Sequence, residues 1–247
     1  MELTIIRHGQ SVNNALNEDQ VLRVFDPELT EIGKQQAACT ADYLKTGEHL
    51  EKLVMIPLDS PERAEHHPYQ FTHLYCSAMH RAMQTAQPIA SAVGLKPSIW
   101  LDIHEHGGIY LEKEGVVTGY GGRTRLQILE EFPDYVIPDL LTDEGWWNPV
   151  QGKEDYAGAS GRAIRVASEL RQRALNEATA ADRIILVSHG TFIDALIKAL
   201  LFNLPNDRYF HWHYNCAMTR LDLLNDGRVL VRYINRVSHL PKELITT

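Results

Sequence analysis

Short apolar runs alternate with amphipathic segments along the chain, which predicts an alternation of strands and helices. The apolar runs predict strands at 3–6, 71–76, 97–101, 183–191, 217–224 and 229–235. The amphipathic segments predict a helix capped by Thr30, a helix that Ser77 begins, and two more over 161–178 and 192–202. This order is typical of a mainly parallel sheet covered on both faces. We therefore expect an α/β protein, a three-layer α/β/α sandwich.

Two segments depart from this alternation. Residues 46–70 contain Pro57, Pro61, Pro68 and many charges, which is typical of an irregular surface insertion. Glycines and prolines break 109–160 into short pieces, so we expect a cap or lid inserted over the carboxyl ends of the strands. The pair Trp146-Trp147 would either line a substrate entrance or anchor this lid to the body. The prediction is a single domain over 1–247 with these two insertions.

The amino-acid composition argues against several classes of binding partner. The 247-residue chain has a formal charge of -8, which argues against binding to nucleic acid or to an anionic membrane, since both need a basic face. Its three cysteines are widely spaced and predict neither a disulfide framework nor a zinc site. No secretory signal and no apolar run of membrane-spanning length is recognisable, so a cytoplasmic location is expected.

Polar side chains follow three of the predicted strands. Arg7 and His8 end the first strand, Ser77 and Arg81 follow the second, and His189 ends the strand at 183–191. Open α/β sheets bind ligands at the carboxyl ends of their strands. Guanidinium groups match phosphoryl oxygens, and an imidazole can attack phosphorus. The sequence therefore predicts a phosphate pocket at this edge of the sheet.

Four ordered motifs resemble those of a known family. They are Arg7-His8-Gly9-Gln10-Ser11 with Asn14, Leu29-Thr30-Glu31-x-Gly33 with Gln36-Ala37, Ser77-x-x-x-Arg81-Ala82-x-x-Thr85-Ala86, and Val187-Ser188-His189-Gly190. With them the chain resembles the histidine phosphatase superfamily, in its phosphoglycerate-mutase-like branch. The resemblance runs from residue 3 to about residue 235 and is weakest in the two insertions.

The resemblance implies a role for each residue of the pocket. His8 would be the nucleophile that forms a phosphohistidine intermediate, and its imidazole must be neutral to attack. Arg7, Arg81 and His189 would hold the phosphoryl oxygens, with His189 protonated during turnover. The remaining predicted substrate-binding residues are Gly9, Asn14, Ser77, Gly190 and Thr191.

An acid must protonate the leaving oxygen and later accept a proton from water. In the acid-phosphatase branch of the family an aspartate follows the second histidine, whereas Gly190 follows His189 here. The acid should therefore come from the central segment, and Glu105 is the first choice. Its alternatives are Asp102, Glu112 and Glu114.

Neither a cofactor nor a metal is expected. The arginines and histidines supply the positive charge that Mg²⁺ supplies elsewhere. The patterns His104-x-His106 and His211-x-His213 place two imidazoles on one side of a strand, but neither has a third ligand nearby in sequence.

Three functions follow in order of preference. The first is a phosphatase that hydrolyses a small phosphorylated substrate to inorganic phosphate. The second is a 2,3-bisphosphoglycerate-dependent phosphoglycerate mutase, which is less favoured because basic residues are sparse between 109 and 160. The third is a non-catalytic phosphate-binding module. A homodimer also stays open, because Asn225-Asp226-Gly227 predicts a hairpin that would present an edge strand.

Overall fold

A computed structural model describes residues 1–16, 22–46 and 70–247. Most of the predicted insertion at 46–70 therefore lies outside the described residues. The strands are β1 (Glu2–Arg7), β2 (His73–Cys76), β3 (Ser98–Ile99), β4 (Tyr110–Lys113), β5 (Val116–Gly119), β6 (Arg183–Ser188), β7 (Met218–Leu223) and β8 (Val229–Arg236). The α-helices are α1 (Val12–Ala15), α2 (Glu31–Thr46), α3 (His80–Val93), α4 (Arg125–Glu131), α5 (Tyr156–Leu175) and α6 (Gly190–Leu200). No helix within these ranges is long and apolar enough to cross a membrane.

Six of the strands form one sheet in the order β3-β2-β6-β1-β7-β8. The strands β3, β2, β6 and β1 run parallel to one another, whereas β7 is antiparallel to β1 and β8 is antiparallel to β7, so the predicted mainly parallel sheet is confirmed. Arg7 pairs with Ser188, and Cys76 pairs with Val187. This register brings the carboxyl ends of β1, β2 and β6 to one edge of the sheet.

Hydrophobic side chains cover both faces of the sheet. Leu3 and Ile5 of β1 belong to a buried cluster with apolar residues of α5 and α6. Ile6 points to the opposite face and joins a second cluster with residues of α2 and α3. Because successive strand residues alternate between faces, the continuous apolar run in β1 fills both clusters. Helices thus pack on each side, and the predicted three-layer arrangement is confirmed.

Several boundaries differ from those predicted. The helix expected to begin at Ser77 begins at His80, because the Ser77 hydroxyl accepts the backbone N–H of Met79 at 3.2 Å and Met79 is still extended. Helix α5 begins at Tyr156 rather than 161, because the Asp155 side chain caps it. The predicted cap of α2 is present, since Thr30 Oγ1 accepts the backbone N–H of Gly33 at 3.1 Å.

Only part of the predicted lid borders the end of β1. Strands β4 and β5 form an antiparallel hairpin that shares a cavity with Arg7 and His8. The following helix α4 and the residues after it pack into the body instead, because Phe132 and Tyr135 join the cluster under α3 and the Tyr135 hydroxyl donates to the Met83 carbonyl at 2.6 Å. Trp147 packs against Met79 and Ile109, which favours the anchoring alternative for the tryptophan pair.

The last two strands form the predicted hairpin. Strands β7 and β8 pair antiparallel, and the N–H of Leu224 donates to the Arg228 carbonyl at 2.8 Å. Gly227 has a φ of 87°, a left-handed conformation that favours glycine. Strand β8 lies at the edge of the sheet. The homodimer that an edge strand allows stays a prediction.

Two glycines bring α2 against the end of β1. A Cβ on Gly33 would lie 2.1 Å from the Gln10 carbonyl oxygen, and a Cβ on Gly9 would lie 2.6 Å from the Gly33 carbonyl oxygen. The N–H of Thr30 donates to the same Gln10 carbonyl at 2.9 Å. No side chain fits between these backbones, so glycine at 33 is required by the contact that fixes the segment after His8.

The same substitution should therefore have opposite effects at two helical glycines. Gly33→Ala should lower the free energy of unfolding by about 2 kcal/mol, because backbone atoms must move apart. Gly161→Ala is the matched control, since its Cβ would meet only the Arg165 side chain at 3.9 Å. It should raise stability by about 0.5–1 kcal/mol. Urea unfolding measures both, and a Gly33→Ala protein as stable as the wild type would contradict the contact.

Candidate active site

A cavity of about 610 Å³ opens at the carboxyl end of β1. Its lining comes from seven parts of the chain: the end of β1, the α1 segment, residues 23–27, Arg81, the loop carrying Glu105, the β4–β5 hairpin, and Lys153. Four of the five predicted catalytic residues, Arg7, His8, Arg81 and Glu105, border it directly. The fifth is His189, whose ring centroid lies 5.0 Å from that of His8.

The hydrogen bonds of His8 define its tautomer. Its Nδ1 lies 2.7 Å from the Gly9 carbonyl oxygen, which can only accept, so Nδ1 carries the proton. Its Nε2 then has the free lone pair and accepts from Arg81 Nε at 3.1 Å. Burial, followed by the charges of Arg81 and Arg7, lowers the pKa of His8 well below its ordinary value. The imidazole is therefore neutral, and its free lone pair is on Nε2.

Thr85 connects Gly9 to Arg81. The backbone N–H of Gly9 donates to Thr85 Oγ1 at 3.0 Å, and this hydroxyl donates to the Arg81 carbonyl at 2.7 Å. The N–H of Gly9 is thus already occupied, and Gly9 acts in this structure through its carbonyl on His8 rather than as a free anion donor. The sequence motif that contains Arg81 also contains Thr85, but it did not predict this bridge.

Each arginine of the site is held by backbone or by a carboxylate. Arg7 Nη1 donates to the His213 carbonyl at 2.5 Å. A Cβ on Gly190 would lie only 3.4 Å from Arg7 Nε, so Gly190 lies beside this guanidinium. Arg81 Nη1 lies 4.0 Å from Asp26 Oδ1. Burial lowers the pKa of both guanidinium groups, which shows how far they are withdrawn from water.

Asp26 is a buried carboxylate that the sequence analysis did not identify, because it lies outside the four motifs. Its Oδ1 accepts the backbone N–H of His80 at 3.0 Å, and within the described ranges its Oδ2 has no hydrogen-bond partner. Burial raises the pKa of Asp26, while the charge of Arg81 opposes that rise. Asp26 thus provides the negative charge that faces Arg81 from the side of residues 22–27.

His189 is fully buried and has no hydrogen bond at either ring nitrogen to any residue that the structure describes. Burial, and then the charge of Arg81, lowers its pKa well below the ordinary value. The imidazole is therefore neutral. The expected protonation during turnover would need a bound anion, since a nearby negative charge favours the imidazolium.

Glu105 is fixed by three backbone amides. Its Oε1 accepts from His106 at 2.8 Å and from Phe192 at 3.0 Å, and its Oε2 accepts from Thr191 at 3.3 Å. The carboxylate therefore occupies the amino end of α6, where negative charge is favoured. Because it accepts the backbone N–H of Thr191, that N–H is already occupied, although Thr191 had been predicted to bind substrate.

The three alternative acids are placed less favourably. Glu112 pairs with Lys153 at 3.0 Å, and Glu114 lies at the turn of the β4–β5 hairpin with a φ of 50°. Asp102 does not border the cavity, and its carboxylate lies 4.0 Å from Arg165 on the outside of α5. Glu105 alone among the four borders the cavity and hydrogen-bonds to the amino end of α6, the helix that follows His189.

Asn14 and Ser77 were also predicted to bind substrate, and of these two Asn14 borders the cavity. Asn14 borders the cavity, and its side-chain oxygen accepts the backbone N–H of Ser11 at 3.0 Å. Ser77 is fully buried and caps the turn before α3, so it does not border the cavity. The neighbouring Asn13 clamps Val24 through both of its side-chain polar atoms, at 2.8 and 3.1 Å, and so fixes the wall at 23–27.

The two histidine pairs considered as metal ligands have other partners. His104 Nδ1 lies 2.8 Å from the Leu101 carbonyl, and its ring contacts Trp146 and Trp147. His211 Nδ1 lies 2.9 Å from Asp194 Oδ1. In the part of the chain that the structure describes, no group of three histidine, cysteine or acidic side chains could hold a metal ion. Metal-free chemistry stays a prediction.

Comparison with known proteins shows the family of the chain. The chain matches the histidine phosphatase superfamily (branch 1) over residues 3–236, and it belongs to that family. It is 25% identical to a probable phosphoglycerate mutase GpmB of Yersinia enterocolitica, over 90% of this chain and 85% of the relative.

Two solved structures share its fold. The phosphoserine phosphatase of Entamoeba histolytica, in complex with phosphoserine, is 21% identical with a TM-score of 0.57 and covers 97% of this chain and 99% of its own. A mycobacterial glucosyl-3-phosphoglycerate phosphatase is 21% identical with a TM-score of 0.56, over 96% and 99% of the two chains. These two likenesses extend over nearly the whole chain and show that it has the same fold.

The buried neutral histidines predict how stability changes with pH. Burial lowers the pKa of His104 to about 3 and that of His213 to about 4. Below about pH 6.5 the unfolded chain binds protons that these folded histidines do not. The free energy of unfolding should therefore fall as the pH falls, by about 2 kcal/mol for each of the two between pH 7.5 and pH 5.

Urea unfolding at pH 7.5 and pH 5.0 measures this fall. His213→Gln is the matched variant, because glutamine does not titrate, and its fall should be smaller by about 2 kcal/mol. Equal stability of the wild type at both pH values would show that these histidines are protonated in the folded state.

Proposed function

We propose that this protein is a phosphatase that hydrolyses small phosphomonoesters through a phosphohistidine at Nε2 of His8. The observation that carries the proposal is the neutral, buried His8 imidazole, whose Nδ1–H is held by Gly9 and whose Nε2 faces Arg81. A lone pair among guanidinium groups, with a carboxylate in the same cavity, is the arrangement that phosphoryl transfer to an imidazole requires.

The first step transfers the phosphoryl group to the enzyme. Nε2 of His8 attacks phosphorus, the ester P–O bond breaks, and Glu105, which takes a proton from the incoming phosphate monoanion, passes that proton to the leaving oxygen. The imidazole ring gains positive charge as the N–P bond forms. The Gly9 carbonyl favours that change because it already accepts the Nδ1–H.

The second step returns the enzyme to its starting state. Water attacks phosphorus and loses a proton to the Glu105 carboxylate, and the N–P bond breaks with its electron pair returning to Nε2. Inorganic phosphate leaves with the proton that Glu105 accepted, so His8 is again neutral and Glu105 is again a carboxylate. The same carboxyl group therefore acts first as acid and then as base.

Arg7, Arg81 and His189 would stabilise charge on the phosphoryl oxygens. Both guanidinium groups border the cavity beside His8. His189 has no other hydrogen-bond partner among the described residues, which supports a role as a donor to a phosphoryl oxygen. In this buried site such contacts are stronger than in water, so they form the main contribution to catalysis.

The outer part of the cavity favours hydrolysis over mutase chemistry. A mutase must bind a substrate with a second strongly anionic group, which needs further cations. The cavity also contains Arg23 and Lys153, but Lys153 is paired with Glu112, and Glu114 borders the same space. These carboxylates disfavour a bisphosphate.

Phosphoglycerate mutase is the second candidate. It is favoured by relatives in Yersinia enterocolitica and an Enterobacter species, 25% and 27% identical to this chain, that carry the name probable phosphoglycerate mutase GpmB. Both functions would use His8 in the same way, and they differ in whether water or a reoriented product receives the phosphoryl group.

Aryl phosphates test the roles of His8 and Glu105 in the presence of EDTA. The wild type should release phosphate from both 4-nitrophenyl and phenyl phosphate. His8→Ala should lower kcat/KM by about 10³-fold or more for both substrates, because the nucleophile is lost. Glu105→Gln should lower the rate about 10²-fold for phenyl phosphate and much less for 4-nitrophenyl phosphate, whose leaving group needs no proton.

Two matched variants keep this test specific. His73→Ala changes a histidine at the opposite end of β2 and should retain wild-type rates. Glu112→Gln changes the alternative acid that pairs with Lys153, and its losses should not depend on the leaving group. A leaving-group-dependent loss in Glu112→Gln, with none in Glu105→Gln, would transfer the acid role to Glu112.

Phosphoglycerate separates the two candidate functions. With 3-phosphoglycerate, a phosphatase should release inorganic phosphate at a rate that 2,3-bisphosphoglycerate does not raise. A mutase should instead form 2-phosphoglycerate only when the bisphosphate is added. Following the reaction by ³¹P NMR distinguishes these products, and primer-dependent isomerisation with little phosphate release would overturn the phosphatase proposal.

A further inference from the structure

The loop that carries Glu105 is held by a buried arginine of α5. Arg162 is only 2% exposed. Its Nη1 donates to the carbonyl oxygens of Asp102 and His104, both at 2.8 Å. These carbonyls belong to the residues three positions before and directly before Glu105. One guanidinium nitrogen thus fixes the backbone immediately before Glu105.

Glu154 orients this guanidinium and holds the other side of the loop. Arg162 Nε and Nη2 donate to the two carboxylate oxygens of Glu154 at 3.1 and 2.5 Å, a bidentate pair. The backbone N–H of Glu154 donates to the Gly107 carbonyl at 3.1 Å. The Arg162–Glu154 pair therefore restrains the loop on both sides of Glu105.

Arg162 also contacts Phe192, whose backbone N–H binds the Glu105 carboxylate. Its guanidinium carbon lies 4.6 Å from the centroid of the Phe192 ring. The backbone N–H of Phe192 donates to Glu105 Oε1 at 3.0 Å. The same buried side chain therefore lies against both elements that determine where the Glu105 carboxylate is: its own loop and the amino end of α6.

We propose that Arg162 is a positioning residue for the acid carboxylate of Glu105, oriented by Glu154. The inference rests on the proposed function, in which Glu105 protonates the leaving oxygen. Lysine cannot replace Arg162 in this role, because a single ammonium lacks the planar donor pattern that joins two carboxylate oxygens and two carbonyls. A displacement of the loop by a fraction of an ångström would weaken proton transfer while leaving the phosphoryl contacts of Arg7 and Arg81 in place.

Arg162→Lys is the variant of choice. It keeps a positive charge beside the buried Glu154, whereas Arg162→Ala leaves that carboxylate unpaired and threatens folding. The matched control is Arg173→Lys, on the same helix, where Arg173 donates to Asp182 at 2.6 Å and to the Tyr75 hydroxyl at 2.8 Å. Urea unfolding of each variant establishes that it is folded under the assay conditions.

The experiment measures kcat/KM for a series of aryl phosphates of rising leaving-group pKa. Arg162→Lys should lose about 10- to 100-fold with phenyl phosphate and only a few-fold with 4-nitrophenyl phosphate. Arg173→Lys should lose little with either. In the Glu105→Gln background, Arg162→Lys should cause no further leaving-group-dependent loss, because the acid on which it acts is absent.

The outcomes separate this inference from the proposed function. Equal losses for all leaving groups, or a full additional loss in the double variant, would overturn the positioning role of Arg162. That role also fails if Arg162→Lys behaves like Arg173→Lys while Glu105→Gln shows the leaving-group dependence. If Glu105→Gln shows no such dependence, the acid role of Glu105 fails, and the role of Arg162 fails with it.

Discussion

A neutral imidazole between two guanidinium groups is the constraint on which the site depends. Phosphoryl transfer needs positive charge near the phosphoryl oxygens, yet the nucleophile must itself be uncharged. Burial and the charges of Arg81 and Arg7 together keep His8 neutral. Buried cations in turn need nearby carboxylates, and Glu105 and Asp26 oppose the loss of charge on Arg7 and Arg81, respectively. The sheet register, the Gly9–Gly33 contact and the Thr85 bridge all hold this arrangement in place.

Local sequence patterns predicted the elements of the fold and the residues at the strand ends. An apolar run followed by Arg7 and His8 indicates both a buried strand and the edge where its ligand lies, because parallel strands share that edge. Contacts between distant segments could not be predicted in this way. Asp26 faces Arg81 across 55 positions of sequence, and Arg162 reaches Asp102 across 60. The core residues Phe132 and Tyr135 could not be predicted either, because glycines and prolines break the segment after 109 into pieces too short to show a periodic pattern.

The acid and the outer wall of the cavity are joined by a short stretch of chain. Lys153 pairs with Glu112 on the β4–β5 hairpin, and the next residue, Glu154, orients Arg162. Lys153, which pairs with the hairpin, is therefore next in sequence to Glu154, which orients Arg162 against the Glu105 loop. In the proposed mechanism, a change in the outer wall at Lys153 would reach the Glu105 loop through Glu154 and Arg162.

The most direct test of the account is to trap the phosphoryl group on the enzyme. The Glu105→Gln variant is mixed with 4-nitrophenyl phosphate and quenched in alkali, in which phosphohistidine survives, and the digested peptides are examined by mass spectrometry. The account predicts a phosphoryl group on His8 and none when His8→Ala is combined with Glu105→Gln. A phosphoryl group on His189, or continued turnover with no phosphorylated peptide, would contradict it.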